Sequence, residues 1–184
     1  MDPAELFTLA FDCSERSGWW GSALPFLYGL AVGCRAKHLI EIGVCQGGST
    51  RALLYAASIN AGHLTSIDIV DCSGRIAPPL NERWTFVQGD SRRVLPAIDF
   101  PIDFALIDGE HTADAVSAEL REIDRLMMPR GSVVLDDCWP EYQGVLDAFE
   151  RFRSSRNIEK TLIRYGTERS LHGTARRLGL IRYV

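Results

Sequence analysis

Short, continuously apolar runs alternate with longer stretches of helical spacing along most of this chain. The runs fall at His38–Ile42, Leu64–Asp68, Trp84–Gln88, Ile102–Ile107 and Ser132–Asp136, each bounded by Gly, Asp or Pro. Continuous rather than alternating apolarity is the mark of parallel strands covered on both faces. Between them, Ser49–Asn60 places Ala52, Leu53, Ala56, Ala57 and Ile59 on one broad stripe. Thr112–Met128 does the same through Ala115, Val116, Leu120, Ile123, Leu126 and Met127. Gly62 and Gly131 sit just beyond these two helices, and Pro129 marks the second stop. Strands alternating with helices imply right-handed crossovers and a Rossmann-like, doubly wound α/β sheet.

The rhythm changes at both ends. Tyr142–Ser154 has helical spacing, after which Ile158–Tyr165 and Leu178–Val184 read as strands joined by a long polar connection. With no helix pattern between them, they are expected to form an antiparallel pair at the sheet's edge, giving seven strands in all. Ahead of the first strand, Ala4–Phe11 and Ser22–Gly33 read as helices, with Trp19 and Trp20 between them. No repeat, low-complexity tract or Gly/Ser linker interrupts the sequence. Residues 1–184 are therefore read as one domain: a helical segment over 1–36, serving as a lid or subunit contact, and an α/β core over 37–184.

Composition excludes several classes. The formal net charge of −4 offers no basic footprint for nucleic acid or an anionic membrane. The arginines of the C-terminal third are interspersed with Glu141, Asp147, Glu150 and Glu159, as on a solvated face. No apolar run approaches the roughly 20 residues of a membrane span. Asp2, Glu5, Asp12 and Glu15 stand where a signal peptide needs a basic segment. The five cysteines are scattered without a C-x-x-C pair, which fits a reducing cytoplasmic setting better than a disulfide framework or a zinc site.

Candidate chemistry concentrates at the ends of the predicted strands. Glu41-Ile-Gly43-Val-Cys-Gln-Gly47-Gly48-Ser49 leaves the first strand and opens a helix. Glycines belong where backbone turns tightly and a ligand approaches closely. Cys45 occupies the place of the middle glycine of a dinucleotide fingerprint, and Glu41 would repel a pyrophosphate but hold a cationic amino group. A purely structural turn is the alternative. Asp68, ending the second strand, can accept hydrogen bonds from both hydroxyls of a ribose, with Asp71 as competitor and turn formation as the plainer role. After the third strand, Asp90 or Ser91 is placed to contact an adenine edge, although Ser91 also suits a helix N-cap.

Asp108 ends the fourth strand, and Asp136 and Asp137 end the fifth. Neighbouring strand ends lie ~5 Å apart, so these three carboxylates are expected to converge in the crevice where such sheets bind ligands. Converging carboxylates are costly without a cation, and hard oxygen donors suit Mg²⁺ or a similar divalent ion. The plainer reading is that Asp136 and Asp137 cap the next turn.

In order and spacing, these motifs from about His38 onward resemble the class I S-adenosylmethionine-dependent methyltransferases. The closer likeness is to small-molecule O-methyltransferases with an E-x-G-x-x-x-G-x-S loop, matched by Glu41, Gly43, Gly47 and Ser49. The acidic residues are similar to the metal site of the divalent-cation-dependent catechol and antibiotic-sugar enzymes. The resemblance implies S-adenosylmethionine as cofactor, held by Glu41, Gly43, Gly47, Ser49, Asp68, Asp90, Ser91 and Asp108. It implies a metal on Asp108, Asp136 and Asp137, with Asp108 also catalytic. Relatives carry a lysine general base three residues after the strand-four Asp, which makes His111 the candidate here, with Glu110 as a weaker substitute and His172, in the late polar loop, as a residue facing the acceptor. An imidazole, with an ordinary pKa of roughly 6.5, suits that task. Tyr142, Trp139 and Cys138 are candidate walls of an acceptor pocket. The expected partner is a hydroxylated small molecule or sugar, with a homo-oligomer helping to enclose it. Competing readings are an NAD- or nucleotide-sugar-linked oxidoreductase, a non-catalytic binding module, and methylation of RNA or protein.

Overall fold

The computed structural model describes residues 23–169 and 175–184. The expected helix at Ala4–Phe11, together with Trp19, Trp20 and His172, lies outside them. The strands are β1 (His38–Ile42), β2 (His63–Asp68), β3 (Trp84–Gln88), β4 (Ile102–Ile107), β5 (Met127–Leu135), β6 (Ile158–Arg169) and β7 (Ala175–Tyr183). The helices are α1 (Ala23–Gly33), α2 (Gly48–Asn60), a single turn α3 (Ser91–Val94), α4 (Ala113–Leu126) and α5 (Gln143–Arg151).

One seven-stranded sheet runs in the order β3-β2-β1-β4-β5-β7-β6. β1 to β5 are parallel to one another, whereas β7 pairs antiparallel with both β5 and β6. The antiparallel edge pair expected from the last two apolar runs is therefore present.

Alternate strand residues feed two cores, which explains the unbroken apolar runs. Leu39, Phe104, Leu106 and Val134 pack with Leu24 and Leu27 of α1 and Leu53 and Leu54 of α2. On the opposite side, Ile40, Ala105, Ile107 and Val133 pack with Leu120 and Ile123 of α4 and Phe149 of α5. Each such side chain contributes about 1.5–3 kcal/mol on burial, so both faces of the central strands are held.

Two boundaries differ from expectation. α4 stops at Leu126, and Met127 to Gly131 join β5 instead of ending the helix. Met127 is buried opposite Ile102, and the pairing then shifts register before Phe104. Burial on the sheet thus overrides helical spacing, and Pro129 and Gly131 lie within that irregular stretch. At the end of α2 the left-handed residue is Ala61, with φ 53°, so the turn falls before Gly62. No helix among the described residues is long and apolar enough to cross a membrane.

Candidate active site

The strand order reverses its direction of growth between β1 and β4, and the crevice at their C-terminal ends opens into a cavity of about 640 Å³. Gly43, Asp68, Asp90, Ser91 and Asp108 line it. Gly43 shows why the turn needs glycine: its φ is 90°, and a Cβ there would lie 2.0 Å from the carbonyl oxygen of Asp108. The β1 and β4 ends are this close because the Asp108 N–H donates to the Ile42 carbonyl at 2.8 Å. Gly47, with φ 76°, starts α2 without a side-chain cap.

Glu41 is not at the cavity surface. It is fully buried and accepts hydrogen bonds from Ser49 Oγ (2.6 Å), Thr50 Oγ1 (2.8 Å) and Ser66 Oγ (2.6 Å). Ser66 in turn accepts from Trp84 Nε1 at 2.9 Å. Burial pushes the Glu41 carboxyl up to about 7, against the opposing effect of the three hydroxyls. Glu41 and Ser49 therefore tie β1, β2 and α2 together beneath the glycine turn.

Asp68 does face the cavity, and it also holds the loop. Its Oδ2 accepts from the Val44 and Cys45 N–H groups at 2.8 and 3.2 Å, and its Oδ1 from the Val70 N–H at 2.9 Å. Partial burial works against its charge, but these backbone donors outweigh it and hold the carboxyl below its ordinary value. Asp71 makes only a local turn with Ser73. Across the cavity Asp90, rather than Ser91, is the N-cap of α3. Asp90 is further occupied by Arg92, whose Nε and a terminal nitrogen donate at 3.0 and 2.9 Å. Ser91 Oγ donates to Glu119 at 2.5 Å.

The acidic cluster is arranged differently from the expected Asp108, Asp136 and Asp137. One ligand atom each from Asp108, His111 and Asp137 lies within 4.8 Å of the other two. Asp136 accepts from Tyr165 Oη at 3.0 Å, and burial followed by the Asp137 charge raises it to about 6. Asp137 takes a left-handed backbone, with φ 50°. Its Oδ1 accepts from Trp139 Nε1 at 3.0 Å and lies 3.4 Å from the Arg176 guanidinium, while Oδ2 lies 3.6 Å from His111 Nε2. Burial, then the charges of Asp136 and Asp137, pushes Asp108 well above its ordinary value. His111 packs edge-on against Tyr142, with ring centroids 4.4 Å apart. Its Nε2 is buried without a hydrogen-bond partner among the described residues.

This set fits a divalent cation. An orphaned imidazole nitrogen faces two carboxylates, one of them raised by burial and by its neighbours' charges, and a cation would satisfy all three. Trp139 and Cys138 are buried, and Cys138, raised to about 12 by burial, packs against Gly179 in the core. Of the expected wall residues, Trp139 touches the cluster through its hydrogen bond to Asp137, and Tyr142 through His111.

Sequence reasoning missed Glu119, Tyr165, Arg176, Thr50 and Ser66. Glu119 was discernible, since it interrupts the apolar stripe of α4 between Val116 and Leu120. Tyr165 and Arg176 lie on β6 and β7, whose register had to be known first.

The profile of a family described as a methyltransferase domain matches residues 40–138. The O-methyltransferase TomG from Streptomyces achromogenes, involved in tomaymycin synthesis and solved with SAM, superposes with a TM-score of 0.74 at 20% identity, covering 100% of this chain and 91% of that one. An O-methyltransferase from Bacillus cereus in complex with SAH gives 0.70 at 17%, covering 98% and 91%. An rRNA methylase from Streptococcus thermophilus gives 0.67 at 11%, covering 85% and 93%. No curated protein matches the chain in sequence. With the family match spanning more than half of the 184 residues, on a sheet of this order, the chain belongs to the methyltransferase-domain family and carries the class I, S-adenosylmethionine-dependent methyltransferase fold.

Proposed function

We propose that the protein transfers the methyl group of S-adenosylmethionine to an oxygen of a hydroxylated small molecule, assisted by a divalent cation. The observation that carries this reading is the position of Asp108, which lines the cavity and also belongs to the three-residue cluster with His111 and Asp137. A donor in the cavity and an acceptor at the cluster would then meet across one carboxylate. The O-methyltransferases among the structural neighbours, two of them solved with SAM or SAH, support the same reaction class.

Each residue has a task in this scheme. The turn at Gly43 admits the donor to the backbone, Asp68 offers its remaining lone pairs to ribose hydroxyls, and Ser91 meets the adenine edge. Asp108, His111 and Asp137 hold the cation, which would lower the pKa of an acceptor hydroxyl when bound. One nitrogen and two oxygens form a mixed donor set, which suits Mn²⁺ at least as well as Mg²⁺. This assignment moves His111 from proton acceptor to ligand, because one Nε2 cannot do both at once. The acceptor hydroxyl gives up its proton to solvent water, and the new O–C bond forms from the oxygen's lone pair as the C–S bond of the already activated methyl breaks to leave a neutral thioether. The protein mainly supplies alignment, worth ~7–11 kcal/mol in favourable cases. The net charge of −4 and the acidic cluster argue against a polyanionic acceptor such as RNA.

Calorimetric titration with S-adenosylmethionine and with NAD, each with and without Mn²⁺, tests the proposal. Saturable binding of S-adenosylmethionine alone is expected, followed by methylation of hydroxylated acceptors that stops on chelation. Binding of NAD alone would overturn the donor assignment, and turnover unchanged by chelator would overturn the role of the cation.

A further inference from the structure

Behind the cavity wall stands a buried acid that the reaction scheme leaves unused. Glu119 projects from the apolar face of α4, is only 1% exposed, and neighbours Val116, Leu120 and Ile123 in sequence and burial. One carboxyl oxygen accepts from Ser91 Oγ at 2.5 Å, and the other has no hydrogen-bond partner among the described residues. The oxygen hydrogen-bonded to Ser91 lies close behind Gly109, where an added Cβ would come within 3.8 Å of it. Ser91 and Gly109 themselves line the cavity.

A carboxyl with an unmatched oxygen in this position costs stability that an apolar residue would not. Its effect on Ser91 offsets that cost. A serine hydroxyl has one proton and can present either a donor or an acceptor to a ligand. Short O–H···O⁻ geometry commits that proton to Glu119, so only lone pairs remain toward the cavity. Asp90, the other polar candidate on this wall, is already occupied by Arg92.

We propose that Glu119 is a specificity-determining positioning residue: it fixes the Ser91 hydroxyl as an acceptor, so that the cavity selects a 6-amino purine over a 6-oxo purine on the bound donor. This rests on the reading of the cavity as an S-adenosylmethionine site. Burial raises Glu119 to about 7, opposed by the Ser91 hydrogen bond, so the carboxylate form predominates at pH 8.

The test is titration at pH 8 with S-adenosylhomocysteine and S-inosylhomocysteine, which differ in the group at C6, amino in one and oxo in the other. The unsubstituted protein is expected to prefer the adenosyl compound by about tenfold, one hydrogen bond's worth. Glu119→Leu frees the hydroxyl to donate, and the preference should fall to about twofold or less. Ser91→Ala should produce the same collapse, and the double variant should add nothing further. A merely structural Glu119 would change both affinities together and leave their ratio alone. An unaltered ratio in Glu119→Leu overturns the proposal. Should that variant fail to fold, an unaltered ratio in Ser91→Ala overturns it equally. Failure of the unsubstituted protein to bind S-adenosylhomocysteine at all would instead defeat the cofactor reading, and this inference with it.

Discussion

At the scale of single residues, the most informative group is a buried acid beneath the glycine turn. Glu41 sits in the core with its carboxyl raised from 4.5 to about 7, chiefly by burial. The folded state therefore holds a proton that the unfolded chain releases between pH 4.5 and 7. Stability should fall as pH rises through that window and level off above it, by an amount on the order of 3 kcal/mol from this group. Asp68 and Asp90 have lowered values and act with the opposite sign, losing their contribution only as pH falls below about 4. Their effect is therefore separate from the Glu41 window. Glu41→Gln should flatten the decline between pH 5 and 7 without abolishing it, since Glu119 titrates in the same range. Urea unfolding of both proteins at a series of pH values checks this, and parallel curves would show that Glu41 stays ionised in the fold. The sequence identified Glu41 as an acid at a strand end beside a glycine turn. It did not reveal which side of the turn the carboxyl faces, because that depends on Thr50 and Ser66, hydroxyls that look unremarkable inside apolar runs.

At the scale of elements, the contact between the ends of β1 and β4 governs the site. Gly43→Ala would combine a positive φ with a Cβ 2.0 Å from the Asp108 carbonyl, and neither backbone has a side chain that can yield. A loss of about 3 kcal/mol or more is expected, together with loss of donor binding, measured by denaturant unfolding and calorimetry. Retained affinity in a folded Gly43→Ala protein would mean that the donor does not depend on this turn. The elements themselves were legible because strands packed on both faces leave short continuous apolar runs that alternate with helical stripes. The α4–β5 boundary was not, since Met127 satisfies a helical stripe and a buried strand equally well. The acidic cluster follows from neither strand period nor spacing. β5 ends at Leu135, so Asp136 and Asp137 lie beyond the strand and its alternation of faces. The left-handed backbone at Asp137 brings its carboxylate to Asp108 and His111, and sequence spacing carries no trace of it.

At the scale of the whole molecule, the proposed scheme puts donor and cation on adjoining parts of one crevice as separate ligands, and linkage would let them be measured separately. A ligand at a hundred times its dissociation constant adds about 2.7 kcal/mol to stability. For a chain of 184 residues that corresponds to a rise in Tm of about 5–10 °C. Separating the two requires a substitution that removes cation binding and little else. Asp137 is a poor choice, because it also holds Trp139 and Arg176, and its loss would leave a buried guanidinium short of a partner. Asp108 is poor because it borders the cavity. His111 suits the purpose: its Nε2 bonds to nothing among the described residues, and its ring rests edge-on against Tyr142, a contact that phenylalanine reproduces. His111→Phe should therefore keep the Tm of the free protein within about 2 °C, since it removes no hydrogen bond. It should retain the full rise with S-adenosylmethionine and lose the rise with Mn²⁺. Loss of both rises would mean that the cation organises the donor site itself. Persistence of the Mn²⁺ effect would remove His111 from the ligand set and return the metal to the carboxylates of β4 and β5 alone.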